Sequence, residues 1–262
     1  MLHGTAKALN KIKFGKFEIA YQRRHCPDNE GPDSPSIFLH HGLAQSSWHW
    51  WEADWCDAWT RRQVLAVDML GHGSSDRPYS RESYAIEDRA AAVIAIADKY
   101  QVERFDFFGF SLGGRVGFEL TAEYPDRINR LIVGGMHGLD PAVDRRNLER
   151  RIAVLRSNKW RLVERAVGAH RIDGTANAPH GLALSTEAVL DWRGATDRLP
   201  EVQTPTLIYC GSLDSLLPFA RETADLMPNC QFVEIPGTNH AASFYTSEAA
   251  KNVVRTFLQQ TD

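Results

Sequence analysis

Between Phe105 and Tyr124 a mainly apolar run, Phe105-Asp106-Phe107-Phe108, passes through Gly109-Phe110-Ser111-Leu112-Gly113 into a helical stretch, Leu112–Tyr124, that Pro125 stops. No linker separates the strand from the helix, so the chain must turn sharply at Ser111, which sits in a strained conformation. The flanking glycines leave room there for neighbouring backbone. The helix beginning at Leu112 points free N–H groups back at the bend and favours negative charge there. A serine on such a corner exposes its hydroxyl, in the context that a G-x-S-x-G nucleophile elbow requires.

The same strand-to-helix texture runs along much of the chain. Ile37–Leu39 reads as a buried strand and Trp48–Trp59 as a helix. Val64–Val67 is a second strand, Glu87–Tyr100 a helix, Phe105–Phe108 the third strand and Leu131–Val133 the fourth. The rhythm resumes with Thr206–Cys210 as strand, Phe219–Met227 as helix, Gln231–Ile235 as strand and Ser247–Gln260 as helix. Strands apolar throughout are buried on both faces. The alternation predicts an α/β fold with a mostly parallel central sheet and helices on both faces. The first 25 residues alternate weakly (Ile12-Lys13-Phe14, Phe17–Tyr21) and predict an antiparallel hairpin, and Cys26–Pro35 is a polar turn region. From Gly138 to Leu199 no strand is evident. Asn147–Asn158 and Arg161–Ala169 are amphipathic and helical, and Thr175–Gly181 is loop-like. Residues 1–137 and 200–262 are therefore expected to form the core. Residues 138–199, inserted after the fourth parallel-rhythm strand, are expected to form a small helical cap over the carboxyl ends of the strands, where open α/β sheets bind ligands.

The 262 residues carry a formal net charge of -3, too small to argue for nucleic acid or an anionic membrane surface as a partner. Ala90–Ala97, the longest apolar run, falls far short of the roughly 20 residues of a membrane span. The N-terminus lacks a long apolar segment, so a cytoplasmic protein is expected. Cys26, Cys56, Cys210 and Cys230 form neither a CxxC pair nor a zinc pattern. Cys210 and Cys230 sit in apolar stretches as small hydrophobes, and structural disulfides are not expected. With no G-x-G-x-x-G after the first strand and no P-loop, no cofactor and no metal are expected, and the partner is a small-molecule substrate.

The elbow, extended as GFSLGGR, resembles that of the α/β-hydrolase superfamily. So does His41-Gly42 after the first buried strand, and so does Asp68-Met69-Leu70-Gly71-His72-Gly73-Ser74-Ser75-Asp76 after the second. The resemblance extends from about Lys11 to Leu258 and is weakest over 138–199. In this fold the chain order is Ser, acid, His. Of the ten histidines only His240, in Gly237-Thr238-Asn239-His240-Ala241, follows the last predicted strand. The resemblance places the catalytic histidine there, and imidazole suits proton transfer near neutral pH. Gly211-Ser212-Leu213-Asp214 resembles the acid loop, so Asp214 would orient His240. Asp214 could instead cap the following helix, and Asp140 is a rival acid. The oxyanion hole would use the backbone N–H of Leu112 and, by resemblance to the HG-x motif, that of Leu43. One such donor is worth about 2.7–4 kcal/mol of barrier. Trp48, Phe110, Trp160 and Trp192 are candidate substrate-pocket residues. Most tryptophans of Trp48–Trp59 have the spacing of packing residues. Arg115 resembles an arginine of relatives that act on carboxylated substrates, but also reads as a salt-bridged helix residue. The Asp68–Asp76 stretch is structural by resemblance, a buttressing loop, although its Asp and His could be mistaken for metal ligands. His40 reads as a strand-end structural histidine.

The resemblance implies a serine hydrolase that cleaves a carboxylic ester or lactone through an acyl-enzyme. A serine rather than an aspartate nucleophile argues against haloalkane dehalogenase and epoxide hydrolase. The alternatives are a carbon–carbon bond hydrolase, a lyase or a perhydrolase of the same fold. A receptor-like module that binds a ligand without turnover is a further class, and so is a purely structural interaction protein. Fold alone does not choose among them.

Overall fold

A computed structural model describes residues 8–25, 36–56, 59, 61–157, 159–160 and 179–259. Eight strands form one sheet: β1 (Ala8–Phe14), β2 (Phe17–Arg24), β3 (Ser36–His40), β4 (Gln63–Val67), β5 (Phe105–Phe110), β6 (Ile128–Gly134), β7 (Thr206–Gly211) and β8 (Cys230–Ile235). Their spatial order is β1-β2-β4-β3-β5-β6-β7-β8. The β1–β2 hairpin is antiparallel, and β2 pairs antiparallel with β4; every later pairing is parallel. All residues of β3, β4, β5 and β7 are buried. Side chains alternate between two apolar layers, as the period of two requires. Phe38, Leu65, Val67, Phe105 and Phe107 face one layer; Ile37, Leu39, Val64, Ala66, Phe108 and Phe110 face the other. Each fully buried Leu, Ile, Val or Phe contributes roughly 1.5–3 kcal/mol relative to exposure.

The helices divide between the layers. α2 (Ile86–Lys99), α3 (Leu112–Glu123) and α6 (Leu217–Leu226) bury Val93, Val116 and Ala220 in the first. α1 (His49–Glu52), α7 (His240–Tyr245) and α8 (Glu248–Gln259) bury Trp50, Phe244 and Val254 in the second. Two more helices, α4 (Arg145–Leu155) and α5 (Pro179–Val189), lie in the chain between β6 and β7, and no strand occurs among the described residues of that stretch.

Four sequence expectations need correction or placing. The helix expected over Trp48–Trp59 spans only His49–Glu52, because Asp54 takes φ +56°, outside the helical region. Its tryptophans still pack: Trp50 and Trp55 meet Phe108 and Phe244. The loop expected at Thr175–Gly181 gives way at Pro179 to α5, most of whose residues are buried, so no polar stripe betrays it in sequence. Residues 175–178, the helix expected at Arg161–Ala169 and the polar turn Cys26–Pro35 lie outside the described residues.

The register gathers the carboxyl ends of the central strands. His40 of β3 pairs with Gly109 of β5, and Phe110 of β5 with Gly134 of β6. Gly134 pairs with Tyr209 of β7, and Gly211 with Ile235 of β8. The segments after β3, β5, β7 and β8 therefore emerge side by side.

Candidate active site

Ser111 joins β5 directly to α3 at φ +52° and ψ −120°. A non-glycine residue held there costs on the order of 1–3 kcal/mol and persists only when its surroundings enforce it. Here its N–H donates to Gly134 O (2.8 Å) and its carbonyl accepts from Gly114 N (2.8 Å). Both elbow glycines are required by close backbone approach. A Cβ on Gly109 would lie 2.2 Å from Gly113 O, and one on Gly113 only 2.0 Å from His40 O.

β8 leads through Gly237 to Asn239, whose Oδ1 accepts the N–H of Ala242 and starts α7 with His240 as first residue. β7 ends at Gly211, tight against Thr238 O, and Leu213 N donates to Thr238 O (2.9 Å). The loops carrying Asp214 and His240 are thus packed backbone to backbone. The result is a connected chain of three side chains. His240 Nδ1 is 2.7 Å from Asp214 Oδ2, and His240 Nε2 is 2.9 Å from Ser111 Oγ. An ionised carboxylate only accepts, so Nδ1 carries the proton and Nε2 is left to accept from the serine hydroxyl. Asp214 Oδ1 accepts from Leu216 N (3.0 Å), which joins its orienting contact to the capping one. Burial pushes the Asp214 carboxyl up, but the hydrogen bond and charge of His240, the Leu216 N–H and the Cys210 thiol outweigh it and hold it below its usual value. Burial, and then Asp214, push the Cys210 thiol well up. Gly135, at φ +59°, leaves room for the pair: a Cβ there would sit 3.1 Å from the His240 ring.

The loop after β3 closes on the elbow. Gly42 lies so near Ser111 that a Cβ on it would be 3.0 Å from the serine Cβ. Gly42 N donates to Gln45 Oε1 (2.8 Å), and Gln45 Nε2 donates to Tyr245 OH (2.8 Å). With the Gly42 N–H engaged, the next amide along is that of Leu43. Leu43, Ser111 and Leu112 line one small cavity of about 20 Å³, room for about one water. Its walls include Leu148 and Arg151 of α4 and Thr186 and Val189 of α5, so the segment between β6 and β7 stands over Ser111, which is 8% exposed.

Arg115 lines this cavity too, and among the described residues it makes no ion pair of the kind that one reading of the sequence expects. It is fully buried, its Nη2 is 3.2 Å from His137 Nε2, and its guanidinium lies 5.5 Å from the Trp192 ring centre. Its Nη1 has no hydrogen-bond partner among the described residues. Burial pushes Arg115 down to about 10, and burial with Arg115 beside it pushes His137 down to about 2. Asp144, also at the cavity, accepts from Asn147 Nδ2.

The four expected pocket residues sit elsewhere. Phe110 packs at a tilt against His240 (5.0 Å between ring centres) and against Phe244. Trp192 is buried and donates to Glu119 Oε2 (2.8 Å). Trp48 is half-buried just before α1, and Trp160 is half-buried against the first apolar layer. None of the four lines the cavity over Ser111. Asp140 is exposed and caps the turn Pro141–Asp144 through Ala142 N (2.7 Å). Asp68 clamps its own loop, accepting from Ser47 N (2.6 Å) and Ser74 N (2.9 Å). Among the described residues no group of three or more His, Cys, Asp and Glu could hold a metal ion. Cys210 and Cys230 are free, Cys230 only half-buried. No described helix is long and apolar enough to cross a membrane. The sequence reading missed Gln45, Gly135 and Arg151. Of these only Arg151 carried a signal, as a cation within a helix of the stretch expected to cover the site.

A family described as "alpha/beta hydrolase fold" matches residues 35–163. The chain is 23% identical over 266 residues, 90% of its length and 94% of the relative's, to a Bacillus subtilis protein named "Putative 2-succinyl-6-hydroxy-2,4-cyclohexadiene-1-carboxylate synthase". It is 27% identical over 247 residues, 86% of its length and 94% of the relative's, to the "Putative carbamate hydrolase RutD" of Pseudomonas syringae pv. syringae. The crystal structure of the enol-lactonase from Burkholderia xenovorans LB400 superposes with a TM-score of 0.81 at 22% identity, covering 96% of this chain and 100% of that one.

Proposed function

The chain belongs to the α/β-hydrolase-fold superfamily, and on that premise we propose that it is a serine hydrolase that cleaves a carboxylic ester or lactone through an acyl-enzyme. The observation that carries the reading is the continuous hydrogen-bonded chain Ser111–His240–Asp214, with both imidazole nitrogens within 2.9 Å of their partners. In this reading Ser111 Oγ attacks the carbonyl carbon as its proton passes to His240 Nε2. Asp214 holds the imidazole tautomer and stabilises the imidazolium. The tetrahedral oxyanion rests on the N–H groups of Leu112 and Leu43. The imidazolium then protonates the leaving alcohol and, as imidazole, activates water to release the acid. The carbamate named for the Pseudomonas relative is, like an ester, a carboxylic-acid derivative. Residues 138–199 act as the cap that selects the substrate.

The small cavity over Ser111 favours short acyl groups. The test is release of p-nitrophenol from acetate, butyrate and octanoate esters by the protein and its Ser111→Ala variant. Saturable turnover, greatest on the short esters and lost in the variant, is expected. A folded protein that turns over none of them, or a variant as active as the parent, would overturn the reading.

One observation favours a second reading. Arg115 and Arg151 bring two guanidinium groups to the cavity against the single carboxylate of Asp144, which suits a substrate carrying its own carboxylate. Such a substrate could be split by elimination instead of hydrolysis, and the Bacillus relative is named as the synthase of a carboxylate. Faster cleavage of p-nitrophenyl hydrogen succinate than of the butyrate ester supports the anionic substrate class; equal rates count against it.

A further inference from the structure

A second cavity, of about 290 Å³, lies between the β1–β2 turn, the end of β4 and α2, and no residue lines both it and the cavity over Ser111. Its volume is near the lower bound of small-molecule pockets, roughly 300 Å³. The walls are mostly apolar: Phe14, Phe17, Ile19, Met69, Leu70 and Ala92. Two buried nitrogen-bearing side chains share this lining, Arg89 and His40.

Arg89 is 5% exposed. Its Nε donates to Tyr84 O (3.0 Å), its Nη2 to Ser185 Oγ (2.8 Å) and its Nη1 only to the thioether sulfur of Met69 (2.9 Å). A thioether is a weak acceptor, and among the described residues no carboxylate pairs with this guanidinium. A buried cation without a counter-ion is costly, and proteins ordinarily pair it. Burial pushes the group down only to about 10, so it stays charged at neutral pH. His40 is 1% exposed, and its Nδ1 has no hydrogen-bond partner among the described residues. Asp68 also borders the cavity, but Ser47 N and Ser74 N occupy its two oxygens, and Asp88 is exposed. The fold thus holds a buried guanidinium that has the Tyr84 ring at 6.0 Å but no carboxylate partner among the described residues, and an unpartnered buried imidazole nitrogen, beside a mostly apolar chamber. That combination matches one ligand chemistry: an anionic head of one charge on an apolar tail.

We propose that this cavity binds an amphipathic monocarboxylate of the size of a medium-chain fatty acid, its carboxylate on Arg89 and His40 and its chain along Phe14, Phe17, Ile19 and Met69. The carboxylate supplies a counter-ion for Arg89, and the tail leaves water for the apolar walls.

Calorimetric titration with sodium octanoate tests it, on the wild type, on Arg89→Met and on Ala92→Trp. Arg89→Met removes the charge at similar volume. Ala92→Trp fills the chamber, keeps Arg89 and lies away from the cleft. Circular dichroism establishes that each variant is folded. Saturable binding of one octanoate per chain is expected, weakened at least tenfold in both variants, with octan-1-ol bound more weakly than octanoate by the wild type. Absence of octanoate binding by the wild type would overturn the proposal. So would binding that survives in Ala92→Trp, because the ligand would then sit elsewhere, in the cleft over Ser111 for instance. Equal binding of octanoate and octan-1-ol would overturn the role of Arg89.

Discussion

Ser111 at φ +52° is held in place by its neighbours more than by its own preference. Gly113 is where that support is least forgiving, since any β-carbon would overlap His40 O. Gly113→Ala is expected to destabilise the fold by about 1–3 kcal/mol and to lower activity more than this accounts for, because the elbow must shift. Thermal unfolding read beside turnover separates the two effects. On the proposed mechanism Ser111→Ala and His240→Ala each lower kcat by about four to six orders of magnitude, and the double variant is scarcely worse, because the residues act as a unit. Arg115→Met is expected to raise KM for a carboxylated ester at least tenfold while leaving a neutral ester of the same length nearly unchanged. Equal effects on both would make Arg115 a packing residue of the Trp192 neighbourhood.

On the proposed function, α4 and α5 decide what reaches the serine. Val189 of α5 and Leu148 of α4 stand on the cavity wall, and Val189→Ala removes two methyl groups from it. That variant is expected to shift preference toward longer esters, with the octanoate-to-acetate ratio of kcat/KM rising severalfold; an unchanged ratio would remove α5 from substrate selection. These helices also mark the limit of what could be read from the sequence. The central strands were legible because most are short, mainly apolar runs, and Ser111, Asp214 and His240 drew attention as candidates because each follows a predicted strand within a few residues. The cavity walls come from residues far apart in the chain, and that Leu148 and Val189 line one cavity leaves no local pattern. α5 hides for the same reason, being buried on most sides. Trp48, Phe110, Trp160 and Trp192 drew attention by size, and size predicts burial better than it predicts contact with a ligand.

Across the whole molecule, the buried histidines set the response to acid. Burial pushes His40 and His72 down to about 3, His137 to about 2, and His41 well below its ordinary value of 6.5. The folded state refuses protons that the unfolded chain takes up below about pH 6.5. The stability these groups contribute is therefore fully present above that pH and is lost as pH falls toward 3, each by up to about 1.4 kcal/mol per pH unit. Asp214, held below its usual value of 3.8, adds a further loss only below that pH. Melting temperatures measured from pH 7 to 4 should fall steeply below about pH 6; a flat profile would contradict the burial of these imidazoles. The proposed chemistry itself is tested most directly by mass spectrometry after exposure to a fluorophosphonate, which marks an activated serine without requiring the natural substrate. The account predicts one adduct per chain, on Ser111, absent in Ser111→Ala and formed far more slowly in His240→Gln. No adduct on the folded protein, or one on a different residue, would contradict it.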